Sequence, residues 1–165
     1  EKKYLSIIDA KTAELFRISC FLPTIITNQN KKTQKIFNDF GFNFGMAFQL
    51  SDDVLDYFGD SSQMGKSVGK DFFEGKVTYP VIHCFKKSDK KSKKIIAKLF
   101  FKRKRSKKDL ALILDLMKKT NTYKSSIEFV GKYAEKAKTK INKFEGNKYK
   151  VYLDDLVDHL IIRDK

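Results

Sequence analysis

An all-α fold is predicted by three features of the sequence. Apolar residues recur at three- and four-residue spacing along most of the chain, no stretch alternates as a strand would, and only two Pro interrupt the 165 residues. Four of the eight Gly (Gly59, Gly65, Gly69 and Gly75) crowd into one segment. Long helices broken by one special loop are therefore expected, as a helical bundle in a single domain over residues 1–165. An apolar fraction of 41%, with 15 Phe and no Trp, argues against a disordered chain.

Tyr4, Ile7, Ile8, Lys11, Leu15, Ile18 and Leu22 form the periodic set of a first amphipathic helix. Pro23 should kink or end it, because proline removes a backbone donor. Residues 31–58 form a second, longer pattern, with Ile36, Phe40, Phe44, Ala47, Leu50 and Val54 on its core face. Gly41 and Gly45 lie one turn apart within it. Since glycine costs helix propensity, close approach of another helix or of a ligand is their expected use. From Gly59 to Lys76 the periodicity stops. Thr78 and Pro80 then mark a helix start, with Val81, Ile82 and Phe85 inside. Helices near 90–102 and 106–119 come next, the latter opened by a Ser106–Asp109 capping box. A second box, Ser125–Glu128, predicts the start of a helix carrying Ile127, Val130, Tyr133, Ala134, Ala137, Ile141 and Phe144. Gly146-Asn147 should stop it, and Tyr149–Arg163 is a final amphipathic helix.

Charge is concentrated rather than spread. Residues 86–108 hold 13 Lys/Arg against the single acid Asp89, so this run carries +12 of the chain's net +15. Its Ile95, Ile96, Leu99, Phe100 and Phe101 fit a helix with a solvated lysine face. Peripheral contact with an anionic membrane is the competing reading. No recognised motif accompanies the charge, so no nucleic acid is expected as a partner. Cys20 and Cys84 read as reduced core residues of a cytoplasmic protein. No apolar run approaches the ~20 residues needed to span a bilayer. His83 and His159, single residues in apolar helices, read as packed side chains rather than metal ligands.

The chemistry-bearing stretch is Gly45-Met46-Ala47-Phe48-Gln49-Leu50-Ser51-Asp52-Asp53-Val54-Leu55-Asp56. On a helix Asp52 and Asp56 share a face, Asp53 flanks them, and Gln49 lies one turn before Asp52. Carboxylates crowded within one turn repel each other unless a cation compensates. Oxygen-only ligands suit a hard ion such as Mg²⁺, which shares its shell with water and substrate phosphates. Taken alone, the motif reads more readily as a solvated acidic helix end. A short way downstream stand Gly65-Lys66-Ser67-Val68-Gly69-Lys70-Asp71 and Glu74-Gly75-Lys76. Glycines let backbone amides approach an anion, and lysines supply point charges for phosphate oxygens. Upstream, Lys11-Thr12 places a cation and a hydroxyl in an otherwise apolar helix, where a snorkelling surface lysine is the bland alternative.

In these motifs, in the Lys11-Thr12-Ala13-Glu14-Leu15-Phe16 segment and in the tail from Leu153 to Arg163, the sequence resembles the trans-type isoprenyl (polyprenyl) diphosphate synthases. The resemblance covers the whole chain in order and is greatest to octaprenyl-type enzymes. It implies the carboxy-terminal part of the all-α isoprenoid synthase fold, in a protein that forms a homodimer. It implies transfer of an allylic group onto isopentenyl diphosphate, with Mg²⁺ as cofactor, to give a medium or long polyprenyl diphosphate. By the same resemblance Asp52 is a direct Mg²⁺ ligand, with Asp53 and Asp56 nearby, partly through water. Lys11, Lys66 and Lys76 grip the allylic diphosphate, and Asp52, Lys66 and Lys11 are the catalytic set. Thr12 and Gln49 line the path near the allylic carbon, Phe48 packs beside isopentenyl diphosphate, and Asp71 adds a polar group to the metal and diphosphate shell.

The family's first aspartate-rich motif has no counterpart here, and Pro23 departs from a helix that should be continuous. The chain, already helical in pattern at Glu1, reads as a carboxy-terminal fragment that is inactive by itself. A non-catalytic subunit or decayed remnant, and a basic helical module for anionic surfaces, are the alternative readings.

Overall fold

Helix α1 (Lys2–Ile8) passes into a π-helical turn, Asp9–Ala13, and then into α2 (Glu14–Ile26). The computed structural model describes residues 1–59, 68–145 and 148–162. Lys66 with Gly65, the Gly146-Asn147 stop and Arg163 lie outside them. Among the described residues there is no strand, and the all-α expectation holds. Pro23 neither ends nor visibly breaks α2, which continues to Ile26. It sits in the last turn, where Thr27 caps back onto the Pro23 carbonyl through both its amide at 3.0 Å and its hydroxyl at 2.8 Å.

The remaining helices are α3 (Lys31–Phe58), α4 (Lys70–Glu74), α5 (Tyr79–Lys87), α6 (Lys90–Phe101), α7 (Lys107–Lys119), α8 (Thr122–Ile141) and α9 (Lys150–Ile162). They form two compact units: Glu1 with residues 52–128, and residues 2–51 with 129–165. Helices α3 and α8 each contribute to both.

In the unit of residues 2–51 and 129–165, α3 presents Ile36, Phe40, Phe44, Ala47 and Leu50 to the core, as its periodicity predicts. Gly41 and Gly45 are there for helix contact. A methyl at Gly41 would lie 2.6 Å from the Phe16 carbonyl oxygen, and one at Gly45 would lie 2.6 Å from Ala13 Cα. The inward side of the first helix is thus the small-residue row through Ala13 and Cys20. Of the periodic apolar set, Tyr4 and Ile8 are buried as predicted, whereas Ile7, Leu15, Ile18 and Leu22 are exposed. The π turn admits an extra residue and resets the helix face, which three-four spacing alone does not register. From α8, Val130, Ala134, Ala137 and Ile141 are buried, and α9 adds Val157 and Leu160. Lys140 pairs with Asp39 at 2.8 Å, and Ser51 Oγ donates to the Leu160 carbonyl at 3.1 Å.

The other unit is built on Tyr57, Phe72, Val81, Cys84, Ile96, Leu99, Ile113, Leu116 and Met117. Each large apolar side chain removed from water contributes about 1.5–3 kcal/mol. Ser106 and Asp109 form the predicted reciprocal cap of α7. The Ser125–Glu128 box does not open α8. That helix starts at Thr122, after Asn121 adopts φ 50°, and the Ser125 amide is already bonded to the Asn121 carbonyl. His83 packs with its Nδ1 3.3 Å from Thr122 Oγ1. His159, in the unit of residues 2–51 and 129–165, is exposed, with its ring bonded to the Asp155 carbonyl. Both cysteines are unpaired: Cys84 is buried, and Cys20 is partly so.

Candidate diphosphate and metal site

Helix α3 carries both groups of candidate residues, Phe48 and Gln49 in its share of one unit and Asp52, Asp53 and Asp56 in its share of the other. In the first group, Thr12 Oγ1 donates to Gln49 Oε1 at 2.7 Å. The π turn is what presents the Lys11-Thr12 pair here, with Ala13 buried against Gly45 and Lys11 exposed. Single π turns inside α-helices frequently mark functional positions, because the widened turn re-aims side chains. The Phe16 ring lies 5.1 Å from both Phe44 and Phe48. Lys11, Thr12, Phe48 and Gln49 therefore combine an exposed cation, a hydrogen-bonded polar pair and an aromatic wall.

In the second group the three aspartates of α3 divide by environment. Asp52 is exposed, Asp53 is buried at 4% exposure, and Asp56 is intermediate. The amide of Asp71 donates to Asp56 Oδ2 at 3.0 Å, and the Gly69 amide donates to the Asp56 carbonyl at 2.6 Å. Burial pushes the Asp56 carboxyl up to about 6; the Asp71 hydrogen bond opposes this, and the negative charges of Asp71 and Asp52 add to it. Beyond Asp71, Lys76 Nζ bonds Asp71 Oδ1 at 3.1 Å and Glu74 Oε2 at 2.6 Å. Those two acids, Glu74 first, hold the Lys76 ammonium above its ordinary pKa. Lys66 lies outside the described residues.

Gly69 and Gly75 bracket α4 with φ near 83° and 78°, a left-handed conformation that favours glycine. Arg105, which the sequence counts only as one charge of the basic run, fixes the far end of this loop. Its guanidinium donates to the carbonyls of Leu99 at 3.1 Å, Phe100 at 2.6 Å and Phe73 at 3.2 Å. It also lies over the Phe72 and Phe100 rings. A methyl at Gly75 would meet it at 2.8 Å. A glycine followed by a lysine was legible as loop chemistry; an arginine thirty residues on was not.

Among the described residues no three His, Cys, Asp or Glu side chains converge as a metal cage. Mg²⁺ does not require one, since it is commonly bound by one or two carboxylates with water and substrate phosphate. Asp71 and an exposed Asp52, whose charges disfavour ionisation of Asp56, fit such a hard cation. Two cavities, of about 390 Å³ beside Cys20 and Phe37 and about 600 Å³ beside Phe58 and Tyr123, are lined by none of the candidate residues.

The chain is 35% identical over 136 residues to geranylgeranyl diphosphate synthase of Sulfolobus acidocaldarius, covering 82% of this chain and 40% of that protein. It is 42% identical over 84 residues to octaprenyl diphosphate synthase of Escherichia coli, covering 51% and 26%. A polyprenyl synthase of Caulobacter crescentus, solved with calcium and isoprenyl diphosphate, superposes with a TM-score of 0.92 at 30% identity, over 100% of this chain and 50% of that one. The chain thus spans about half the length of the relatives it matches or less. With the sequence model described as Polyprenyl synthetase matching residues 1–117, the chain belongs to the polyprenyl synthetase family.

Proposed function

We propose that this chain supplies one metal- and diphosphate-binding wall of a prenyltransferase that joins an allylic diphosphate to isopentenyl diphosphate. The observation that carries the reading is the linked series Asp56–Asp71–Lys76 beside the exposed carboxylate of Asp52. It sets acceptors for a cation and a donor for a phosphate on one short segment.

Asp52 would hold Mg²⁺, with Asp56 and Asp71 in support, and the ion supplies charge neutralisation to the departing diphosphate. Lys76, with Lys66 and Lys11, binds the phosphate oxygens. As the allylic carbon–oxygen bond breaks, its electron pair goes to the bridging oxygen, where these ammonium groups help most. Phe48 and its partner Phe16 give an apolar surface that keeps water from the cation. Thr12 and Gln49, locked to each other, hold fixed dipoles near the allylic carbon. The alkene of isopentenyl diphosphate forms the new carbon–carbon bond, and loss of a proton restores the double bond. Pairing of two copies and a cytoplasmic setting are part of the same proposal, the latter supported by the two unpaired cysteines.

Calorimetric titration with inorganic diphosphate tests this. Binding should require Mg²⁺ and should be lost in Asp52→Ala. Equal affinity with and without Mg²⁺, or an unaffected Asp52→Ala protein, would remove the metal from the proposal. Condensation by the chain alone is not expected, because the family's first aspartate-rich motif has no counterpart in it to complete the metal site.

A further inference from the structure

The basic run has a face. Taking about 100° per helical residue, Lys90, Lys94, Lys98 and Phe101 fall within one narrow sector of α6, with Lys91 at its edge. The buried Ile96 and Leu99 lie opposite, toward the core formed with Val81, Cys84, Ile113 and Met117. All five sector residues are exposed, and Phe101 is exposed at 88%, in the middle of the lysines. Lys102 follows directly and pairs with Asp109 at 2.5 Å, then come Arg103 and Lys104, and Lys107 and Lys108 open α7, all four of the latter exposed. Phe85, at the adjacent end of α5, is also 41% exposed, with Lys93 Nζ 5.8 Å from its ring centre. The acid of the run, Asp89, caps α6 by accepting from the Ser92 amide, and it is one charge against the 13 basic residues.

A solvated lysine face accounts for the charge but leaves Phe101 unexplained. A phenyl ring 88% exposed within a cationic sector adds an apolar element to the charge. We propose that the lysine face of α6, with Phe101 as its apolar tip, docks this protein on an anionic lipid bilayer. The ring enters the headgroup layer while the ammonium groups meet lipid phosphates. Duplex or single-stranded nucleic acid fits less well. Eleven of the 13 basic residues of the run are Lys, compact point charges suited to phosphate groups, and no nucleic-acid-binding motif accompanies them. Arg105 is committed to the carbonyls of Leu99, Phe100 and Phe73. The inference does not depend on the prenyltransferase reading.

Vesicle flotation of the full 165-residue chain tests it, with phosphatidylcholine alone and with phosphatidylcholine containing phosphatidylglycerol. Binding is expected to the anionic vesicles only. Phe101→Ser should weaken it about ten-fold, because the gain from burying a phenyl ring is lost, and Phe101→Trp should restore it. Lys94→Gln with Lys98→Gln should weaken it by about five-fold for each lysine. Circular dichroism confirms the fold of each variant, which these exposed positions leave intact. Absent binding, equal binding to neutral vesicles, or an unchanged Phe101→Ser affinity would overturn the proposal. So would an oligonucleotide that displaces the vesicles at matched charge.

Discussion

The Asp71 amide donates to Asp56 Oδ2 at 3.0 Å across fifteen residues of sequence, so the last turn of α3 holds the start of α4 directly. Asp56 therefore does two things: it fixes the loop and it adds charge beside Asp52. Asp56→Ala is expected to cost about 1–3 kcal/mol, because a part-buried amide loses its acceptor. Asp56→Asn keeps an oxygen for that amide and should recover most of the loss, while still weakening Mg²⁺-dependent diphosphate binding. Urea unfolding separates the two effects from titration calorimetry. Equal stability of the Ala and Asn proteins would remove the pinning role.

The same carboxyl gives a pH signature. Burial holds its pKa near 6 in the folded chain, against an ordinary 3.8. Between those values the folded chain retains a proton that the unfolded chain has released. The contribution of Asp56 to stability thus falls as pH rises from about 4 to about 6 and is flat beyond. Asp56→Asn should flatten that interval in a pH series of urea midpoints. Added Mg²⁺ favours the ionised form, so it should lower the Asp56 midpoint read by NMR. A midpoint indifferent to Mg²⁺ would place the ion elsewhere.

Gly45 and Gly131 are both helical glycines but predict opposite outcomes. A methyl at Gly45 would sit 2.6 Å from Ala13 Cα, on the π turn that carries Lys11 and Thr12, whereas nothing lies within 4 Å of one at Gly131. Gly45→Ala must push two backbones apart, with a cost of about 1–3 kcal/mol. Gly131→Ala should stabilise by about 0.5–1 kcal/mol through helix propensity. Thermal unfolding of the pair checks both signs.

The features legible in the sequence were those that local periodicity and local chemistry determine. The bounds of α3 and its buried residues and the Ser106–Asp109 cap depend on neighbours within one or two turns, and the close approach at Gly41 and Gly45 showed locally as the propensity cost of glycine inside a helix. The misreadings come from features with no local signature. A π turn leaves the spacing of Leu15, Ile18 and Leu22 helical while changing which side faces the core. The start of α8 is set by the backbone of Asn121 rather than by the better-looking Ser125. Arg105 acts on Phe73 thirty-two residues away. At the site, residue types identified the chemistry, but only the fold separates an exposed Asp52 from a buried Asp53.

Thr12 and Gln49 should behave as a coupled pair. Thr12→Val removes the hydroxyl that donates to Gln49 Oε1 at 2.7 Å, and Gln49→Leu removes the acceptor. Each single change should cost about 1 kcal/mol by leaving a polar group with one partner fewer. The double mutant should cost less than the sum, with a coupling of about 0.5–1.5 kcal/mol. Additive losses would mean that the bond contributes little, and that each residue owes its place to other contacts.

Lys76 yields the sharpest test of the diphosphate reading, because the folded chain already engages it with two acids. Its Nζ is 2.6 Å from Glu74 and 3.1 Å from Asp71, and its side chain remains 52% exposed. To meet a phosphate oxygen it must loosen at least one of those pairs, so Glu74 competes with the substrate. Glu74→Gln removes the competitor and a negative charge together, and should tighten diphosphate binding about two- to five-fold, the range expected of exposed ion pairs. Lys76→Ala should weaken binding by a similar factor, and in that background most of the Glu74→Gln gain should vanish. A structural lysine predicts the reverse pattern: Glu74→Gln would lower thermal stability by loosening the end of α4 and leave diphosphate affinity unchanged. Titration of the four proteins with diphosphate at fixed Mg²⁺ decides between them. A gain that persists undiminished without Lys76 would assign the effect to bulk charge and remove Lys76 from the site.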